Sequence, residues 1–304
     1  MQTAVLSMQT FVLSMQTIVL LALAFIMFSL GTTLRQRDFA SVLQDRRALL
    51  LAVSCHWVML PALGFAIAGI SQLPPELAVG LVLIASCPAG ATSNYLSYLA
   101  RGDVALSVLL TVISGLSSVL TLPLYLWLAM QLFSGPGGHV NIDLPETIRS
   151  VLLLTLLPVS IGMALRHFAA RTTERLERVI AIAAALLFCL VIGNAWVQQW
   201  RVILHGSAAL IFAVIVLNAT ALAGGELMGR RIGLNRARRT TLILETGIQN
   251  GAFAAGIALY VLHQPLLAVP AAIYSVVMIL TGLAVVYLRR RGLGAATSAA
   301  CFEH

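Results

Sequence analysis

The 304-residue chain has no lysine, few charges of any kind and four cysteines without a shared spacing, and each shortage excludes something. Only 10% of residues are charged against 60% hydrophobic, and mean hydropathy is +0.95. A water-soluble domain of this length cannot hide that much apolar surface, so the composition is that of an all-α integral membrane protein. Cys55, Cys87 and Cys189 fall in apolar segments and Cys301 near the C-terminal end, which suggests neither a disulfide framework nor a metal site. No nucleophile–base–orienter set and no Gly-rich phosphate loop is visible, which argues against an enzyme. The net charge of +8 would point a soluble protein towards nucleic acid. Here the arginines read as topology determinants, and no nucleic-acid partner is expected.

Hydropathy predicts nine spans, at about residues 18–34, 48–70, 77–100, 104–133, 147–167, 176–199, 203–228, 240–262 and 265–288. Before them runs a tandem seven-residue repeat, VLSMQTF then VLSMQTI. It has no basic n-region and no clear cleavage site, so it reads as an extension of the first helix rather than a signal peptide, with Met8 and Met15 as alternative starts. Seventeen arginines fall on one side of this topology. Arg35, Arg37, Arg46 and Arg47 lie in the first loop, Arg101 in the third, and Arg166, Arg171, Arg175 and Arg178 around the fifth. Five more (Arg230, Arg231, Arg236, Arg238, Arg239) occupy the seventh loop, and Arg289, Arg290 and Arg291 follow the last span. Only Arg149 and Arg201 lie opposite. The excess marks the cytoplasmic side, with the N-terminus outside and the C-terminus inside. Asp38, Asp45, Asp103 and Glu226 sit at the same end, where arginines can pair with them.

The informative stretch is 240–250, TTLILETGIQN, which puts the carboxylate of Glu245 inside an apolar span. A charge at that depth costs on the order of 3 kcal/mol unless protein, water or an ion compensates it. Gly247 weakens the helix there, and Gln249 and Asn250 follow. The third span is interrupted in the same way by CPAGATSN at 87–94, where Pro88 removes a helix hydrogen bond. The two breaks run in opposite directions at corresponding places in the two halves. Inverted-repeat transporters have this pattern, their half-helix ends meeting near the midplane. The spacing predicts second half-helices beginning near Thr92-Ser93-Asn94 and Ile248-Gln249-Asn250, with unpaired N–H groups turned towards an anion. Their first halves would end near Ser86-Cys87 and Leu244-Glu245, giving a cation its oxygens. The fourth span adds a stripe on one helix face: Ser107, Thr111, Ser114, Ser118 and Thr121. The inner pair, Ser107 and Thr111, are the candidate ligands, and the outer members are expected to bond back to their own helix. His56, with Pro61 beyond it, is an intramembrane titratable group that calls for a partner or a function.

The segments 26–39 (IMFSLGTTLRQRDF), 87–111 (CPAGATSNYLSYLARGDVALSVLLT) and 245–259 (ETGIQNGAFAAGIAL) resemble the bile acid:sodium symporters, whose bacterial members include pantoate carriers. The likeness covers nearly the whole chain. It implies a fold of ten helices in two inverted repeats of five, here beginning at the second helix and leaving nine. By correspondence, residues 18–34 and 147–199 form a panel domain and residues 48–133 and 203–288 a core domain. Residues 1–17 are then an N-terminal extension and 289–304 a cytoplasmic tail. One sodium site is implied at Ser93, Asn94, Ser107, Thr111 and Glu245. A second is implied at Glu245, the carbonyls of Thr246 and Ile248, Gln249, and a family glutamine that is His56 here. Substrate contacts are implied at Ala91, Thr92, Asn250, Met278 and Ile279. The last two stand where many members have His-Asn.

The expected activity is sodium-coupled symport of an organic anion, bile-acid-like or a small carboxylate such as pantoate, by alternating access. Its partners are the anion, sodium ions and the bilayer of a bacterial inner membrane, with the single chain as the functional unit. The alternatives are a proton-coupled carrier using His56 and, from another class, a channel. A fluorescent protein fused after His304 should mature and fluoresce if the arginine-rich side is cytoplasmic. An alkaline phosphatase fusion at the same place should be inactive, and the reverse pair of results would invert the topology.

Overall fold

The computed structural model describes residues 2–34, 46–133, 144–205 and 208–301, and every regular element among them is helical. Helix α1 is Gln2–Thr33, so the heptapeptide repeat continues the first helix backwards. The second span is α2, Arg46–Ala52, then a π-helical segment, Val53–Met59, then α3, Leu60–Ile70. The third is divided into α4, Pro75–Ala85, and α5, Ala91–Leu99. Three long helices follow: α6, Val104–Phe133, α7, Leu144–Phe168, and α8, Ala170–His205. After α9, Ala208–Arg231, the chain divides again into α10, Arg236–Gly247, and α11, Gly251–Gly256, which runs on as a π turn, Ile257–Val261. A 3-10 turn, Pro265–Leu267, leads into α12, Ala268–Cys301. Arg35, Arg37, Asp38, Asp45 and most of the fourth loop, 134–143, lie outside the described residues.

Six described helical stretches are long and apolar enough to cross a membrane: Val53–Ile70, Val104–Phe133, Pro145–Phe168, Ala170–Ile203, Ala208–Arg231 and Pro265–Arg291. Three shorter ones, Thr17–Thr33, Pro75–Ala85 and Gly251–Val261, are also apolar. Large apolar side chains such as Leu21, Leu120, Leu157, Leu186, Phe212 and Leu280 stay exposed along the bundle, as lipid-facing residues do. This is a multi-span membrane protein.

Several predicted boundaries move. The expected loop at 168–175 shrinks to a bend at Ala169, because α7 runs to Phe168 and α8 starts at Ala170. Arg166 reaches across that corner to Glu174 and Glu177 at 3.4 and 3.5 Å, and Thr173 Oγ1 donates to Ala169 O at 3.0 Å, so the charged turn is satisfied as a helix. The sixth span kinks at Gln199 (φ −117°, ψ 19°), continues to His205, and hands over to α9 at Ala208 rather than at Ile203. Beyond Leu288 the chain stays helical to Cys301 instead of ending as a tail.

The π segment in the second span has a local cause. Pro61 has no N–H to donate to the carbonyl of Trp57 four residues before it. That carbonyl accepts from the Tyr125 hydroxyl of α6 instead. Such widened turns are rare and cluster at functional positions.

Helix α1 packs on α7 and α8. Where α1 meets α7 the backbones nearly touch: a Cβ on Gly162 would run into the carbonyl of Phe28 and stand 2.8 Å from the N of Thr32. Small residues at such crossings supply the association that lipid does not. Gly162→Ala should therefore lower the apparent Tm of the purified protein by roughly 2–4 °C or more, since the obstructing atoms are backbone. Gly193→Ala, in open space on α8, should leave Tm unchanged or slightly raised. Equal Tm values for the two variants would contradict the close α1–α7 crossing.

Candidate functional site

The two breaks meet. Pro88 cannot donate to the carbonyl of Ile84, and it disfavours the helical conformation in the residue before it, so α4 ends in a turn at Ser86 and residues 88–90 run extended. Residues 248–250 do the same after Gly247. The extended pieces cross as one antiparallel bridge between Ala89 and Gln249. Asn250 N–H donates to Pro88 O at 2.9 Å, and Gly90 N–H donates to Ile248 O at 3.3 Å. Ala89 N–H donates to Ser114 Oγ of α6 at 3.3 Å.

This crossing corrects the predicted half-helix ends. The second halves begin at Ala91 and Gly251, and the first halves end at Ala85 and Gly247. The N–H group of Asn250, expected to face an anion, is spent on the bridge itself, as is that of Gly90. Asn250 Oδ1 caps α11 by accepting from Phe253 N–H at 3.1 Å, which leaves its amide nitrogen over.

Glu245 therefore projects from inside the last turn of α10, and it is 0% exposed. Ser93 Oγ donates to its Oε1 at 2.6 Å and Ser107 Oγ at 2.5 Å. Thr111 Oγ1 lies 3.1 Å from Oε2 and 3.2 Å from Asn94 Oδ1. The structure thus gathers Ser93, Asn94, Ser107, Thr111 and Glu245 from α5, α6 and α10. Among the described residues no arginine or histidine bonds to the carboxylate. Hydrogen bonds to a charged group contribute about 1.5–3 kcal/mol each, so three hydroxyls offset a burial cost on the order of 3 kcal/mol. They satisfy the oxygens without neutralising the charge. The outer hydroxyls of the stripe behave differently: Ser118 donates to Gly115 O and Thr121 to Ser117 O, within their own helix.

The second group is looser. Gln249 Nε2 donates to Thr246 O at 2.8 Å, while Gln249 Oε1 is buried without a partner. Thr246 Oγ1 bonds back to Leu242 O and Ile243 O, and Ile248 O takes the Gly90 N–H. His56 is only 6% exposed, and neither ring nitrogen has a hydrogen-bond partner among the described residues. The segment carrying it packs through Leu51 and Cys55 against α6 and Leu242 of α10.

Of the residues expected to touch substrate, Asn250 lines a cleft between the crossing and the α1–α7 pair, as does Thr111. Ala91 is exposed, Thr92 and Ile279 are half-buried and Met278 is buried, and none of these four lines that cleft. One functional group had escaped notice. Asn218 Nδ2 and the Tyr274 hydroxyl both donate to Gly247 O, at 2.8 and 3.0 Å, and Thr281 Oγ1 donates to Asn218 Oδ1 at 2.8 Å. The signal was present as an amide in the middle of an apolar span. Asp103 and Glu226 pair as expected, the first with Arg238 at 3.1 Å and the second with Arg230 and Arg289 at 2.6 and 2.8 Å.

Residues 20–206 match the sodium bile acid symporter family. The chain belongs to that family. It is 31% identical over 274 residues, 90% of its length, to a probable sodium/metabolite cotransporter, BASS2, of Oryza sativa chloroplasts. It is 30% identical over 257 residues to the sodium-dependent transporter YocS of Bacillus subtilis, covering 84% of this chain and 77% of that one. A further relative, the ileal sodium/bile acid cotransporter of Oryctolagus cuniculus, is 30% identical over 232 residues, 75% of this chain and 65% of that one. The chain spans 64% of the length of rice BASS2, and 61% and 62% of the rice and Arabidopsis thaliana BASS1 cotransporters. These relatives are transporters by name.

If the Glu245 cradle holds an ion, Ser107→Ala with Thr111→Ala should raise the sodium concentration for half-maximal stabilisation of the purified protein several-fold. Ser118→Ala with Thr121→Ala, on the same stripe, should leave it unchanged. Equal shifts in the two double variants would reduce the inner pair to helix-internal hydroxyls.

Proposed function

We propose that this chain is a sodium-coupled symporter of an organic anion, working by alternating access around the crossed helices. The observation that carries the reading is the fully buried Glu245 carboxylate, held by three hydroxyls and bonded to no basic side chain. A hard monovalent cation supplies the missing charge and takes oxygen ligands. Each hydroxyl that now donates to the carboxylate also has lone pairs, so Ser93, Ser107, Thr111, the Asn94 amide oxygen and Glu245 form the first sodium site. A second, weaker position comprises Glu245, Thr246, Ile248, Gln249 and His56, where unpartnered Gln249 Oε1 and imidazole nitrogens favour an additional ligand. Nitrogen is a poorer donor to a hard cation than amide oxygen, so this position binds less tightly than the first.

Helices α1, α7 and α8 act as the panel, and the crossed helices with α2, α3, α6, α9 and α12 act as the core. The chain crosses the bilayer nine times as an inverted repeat, with the arginine-rich face in the cytoplasm. Rocking of one unit against the other exposes the crossing to either side, and each net charge that moves with the cycle gains about 2.3 kcal/mol per 100 mV of membrane potential. The relatives' names, sodium/metabolite and sodium/bile acid cotransporters, support a carboxylate or bile-acid-like substrate.

The test needs no substrate. Sodium chloride should raise the Tm of the purified protein above its value in choline chloride, because an ion that binds only the folded state stabilises it. In Glu245→Gln, which keeps an oxygen and loses the charge, the sodium-specific rise should disappear while the protein still folds. A rise of wild-type size in Glu245→Gln would sink the reading.

A further inference from the structure

The break after α10 leaves a carbonyl that the helix itself does not serve. The last carbonyls of a helix have no intrahelical donor, and the N–H four residues beyond Gly247, that of Gly251, turns back to Gln249 O at 3.0 Å. Gly247 O is taken instead by two side chains from outside the crossing. Asn218 Nδ2 of α9 lies at 2.8 Å and the Tyr274 hydroxyl of α12 at 3.0 Å. Both side chains are buried. A carbonyl only accepts, so the Asn218 amide must turn its nitrogen to Gly247 and its oxygen away. Thr281 Oγ1, 2.8 Å from that oxygen, completes the chain. An asparagine in an apolar span is costly unless its amide is paired, and here both ends of it are.

Gly247 stands two residues beyond Glu245. Residues two apart on a helix lie roughly 200° round its axis, so the last turn of α10 is held from two sides. Glu245 reaches Ser93, Ser107 and Thr111 of α5 and α6, while Gly247 is tied to α9 and α12. Helix α9 also lies close against that turn: a Cβ on Gly225 would stand 2.4 Å from Thr246 Oγ1, and one on Gly247 would run into the Leu222 side chain. Thr246 O accepts from Gln249 Nε2 and Ile248 O from Gly90 N–H. Gly247 O, with two donors, has both lone pairs engaged. We propose that Asn218 and Tyr274 are positioning residues for the cation site. By engaging Gly247 O they fix the end of α10 against α9 and α12, which keeps the Glu245 carboxylate on its hydroxyls and Gly247 O out of the ligand set. This rests on the sodium-coupled reading. Groups that orient a metal's ligands set its affinity without touching it, and neither Asn218 nor Tyr274 lines the apolar cleft.

The test titrates sodium chloride into purified protein in choline chloride, reads the affinity calorimetrically, and records Tm in choline chloride for each variant. Tyr274→Phe keeps the ring and removes one donor, and Asn218→Leu keeps the approximate volume and removes the other. Each should weaken sodium binding roughly tenfold. Thr220→Val on α9 and Ser275→Ala on α12 remove hydroxyls that bond back to their own helices, and should leave the affinity at its wild-type value. A purely structural role would lower Tm in choline chloride and leave sodium affinity alone. Wild-type affinity in either Tyr274→Phe or Asn218→Leu therefore overturns the proposal, as do losses of equal size in the two control variants. Should Asn218→Leu fail to fold, Tyr274→Phe decides by itself. Wild type that binds no sodium fails the symport reading and this assignment with it, whereas wild-type binding that Tyr274→Phe leaves intact fails the assignment alone.

Discussion

The structure depends on keeping one carboxylate fully buried inside the bundle. Glu245 is fully buried, and the three hydroxyls on it come from α5 and α6, so the site exists only where α5, α6 and α10 meet. Those hydroxyls satisfy hydrogen-bonding capacity but leave the negative charge intact. An arginine in the same position would make a closed ion pair, stable and inert. An all-oxygen cradle leaves the charge unpaired by any basic side chain among the described residues.

Breaking two helices in a bilayer frees backbone groups that lipid cannot satisfy, and the fold meets that cost within the protein. The crossing bonds Gly90 to Ile248 and Asn250 to Pro88, so each break supplies the partners of the other. Gly247, at the end of α10, has a carbonyl that accepts from both Asn218 and Tyr274, which brings α9 and α12 into the same junction. Through Ala89 and Ser114 the junction is also tied to α6, the helix that supplies two of the hydroxyls. Bridge, carboxylate and hydroxyls thus belong to one hydrogen-bonded junction.

Against that junction, the α1–α7–α8 group makes contacts of a different kind. Within the group, Gly31 and Gly162 bring two backbones together so closely that neither admits a Cβ. Between the group and the crossing lies the apolar cleft lined by Thr155 and Asn250. Elsewhere, α8 is joined to the rest by Trp196 Nε1 to Ala272 O and by Asn194 Nδ2 to the Tyr260 hydroxyl, at 3.2 and 3.0 Å.

Much of this was legible in the chain itself. Hydropathy is a local property, so the apolar spans and their approximate ends could be read without knowing what packs on what. Pro88 and Gly247 mark breaks because proline removes a donor and glycine loosens a helix wherever they stand. The four- and three-residue spacing put Ser107 and Thr111 on one face, and the cost of a charge in lipid singled out Glu245. Pairing across the chain was not legible. Which carbonyl Asn250 bonds, that the bridge takes its N–H away from any anion, and that Asn218 props Gly247 are facts about residues far apart in sequence. That the Trp57 carbonyl freed by Pro61 would be taken by Tyr125, 68 residues away, was likewise beyond local reading. Tyr274 carried no signal at all, since a tyrosine in an apolar span reads as packing, and only the approach of α12 to the end of α10 brought its hydroxyl to Gly247 O.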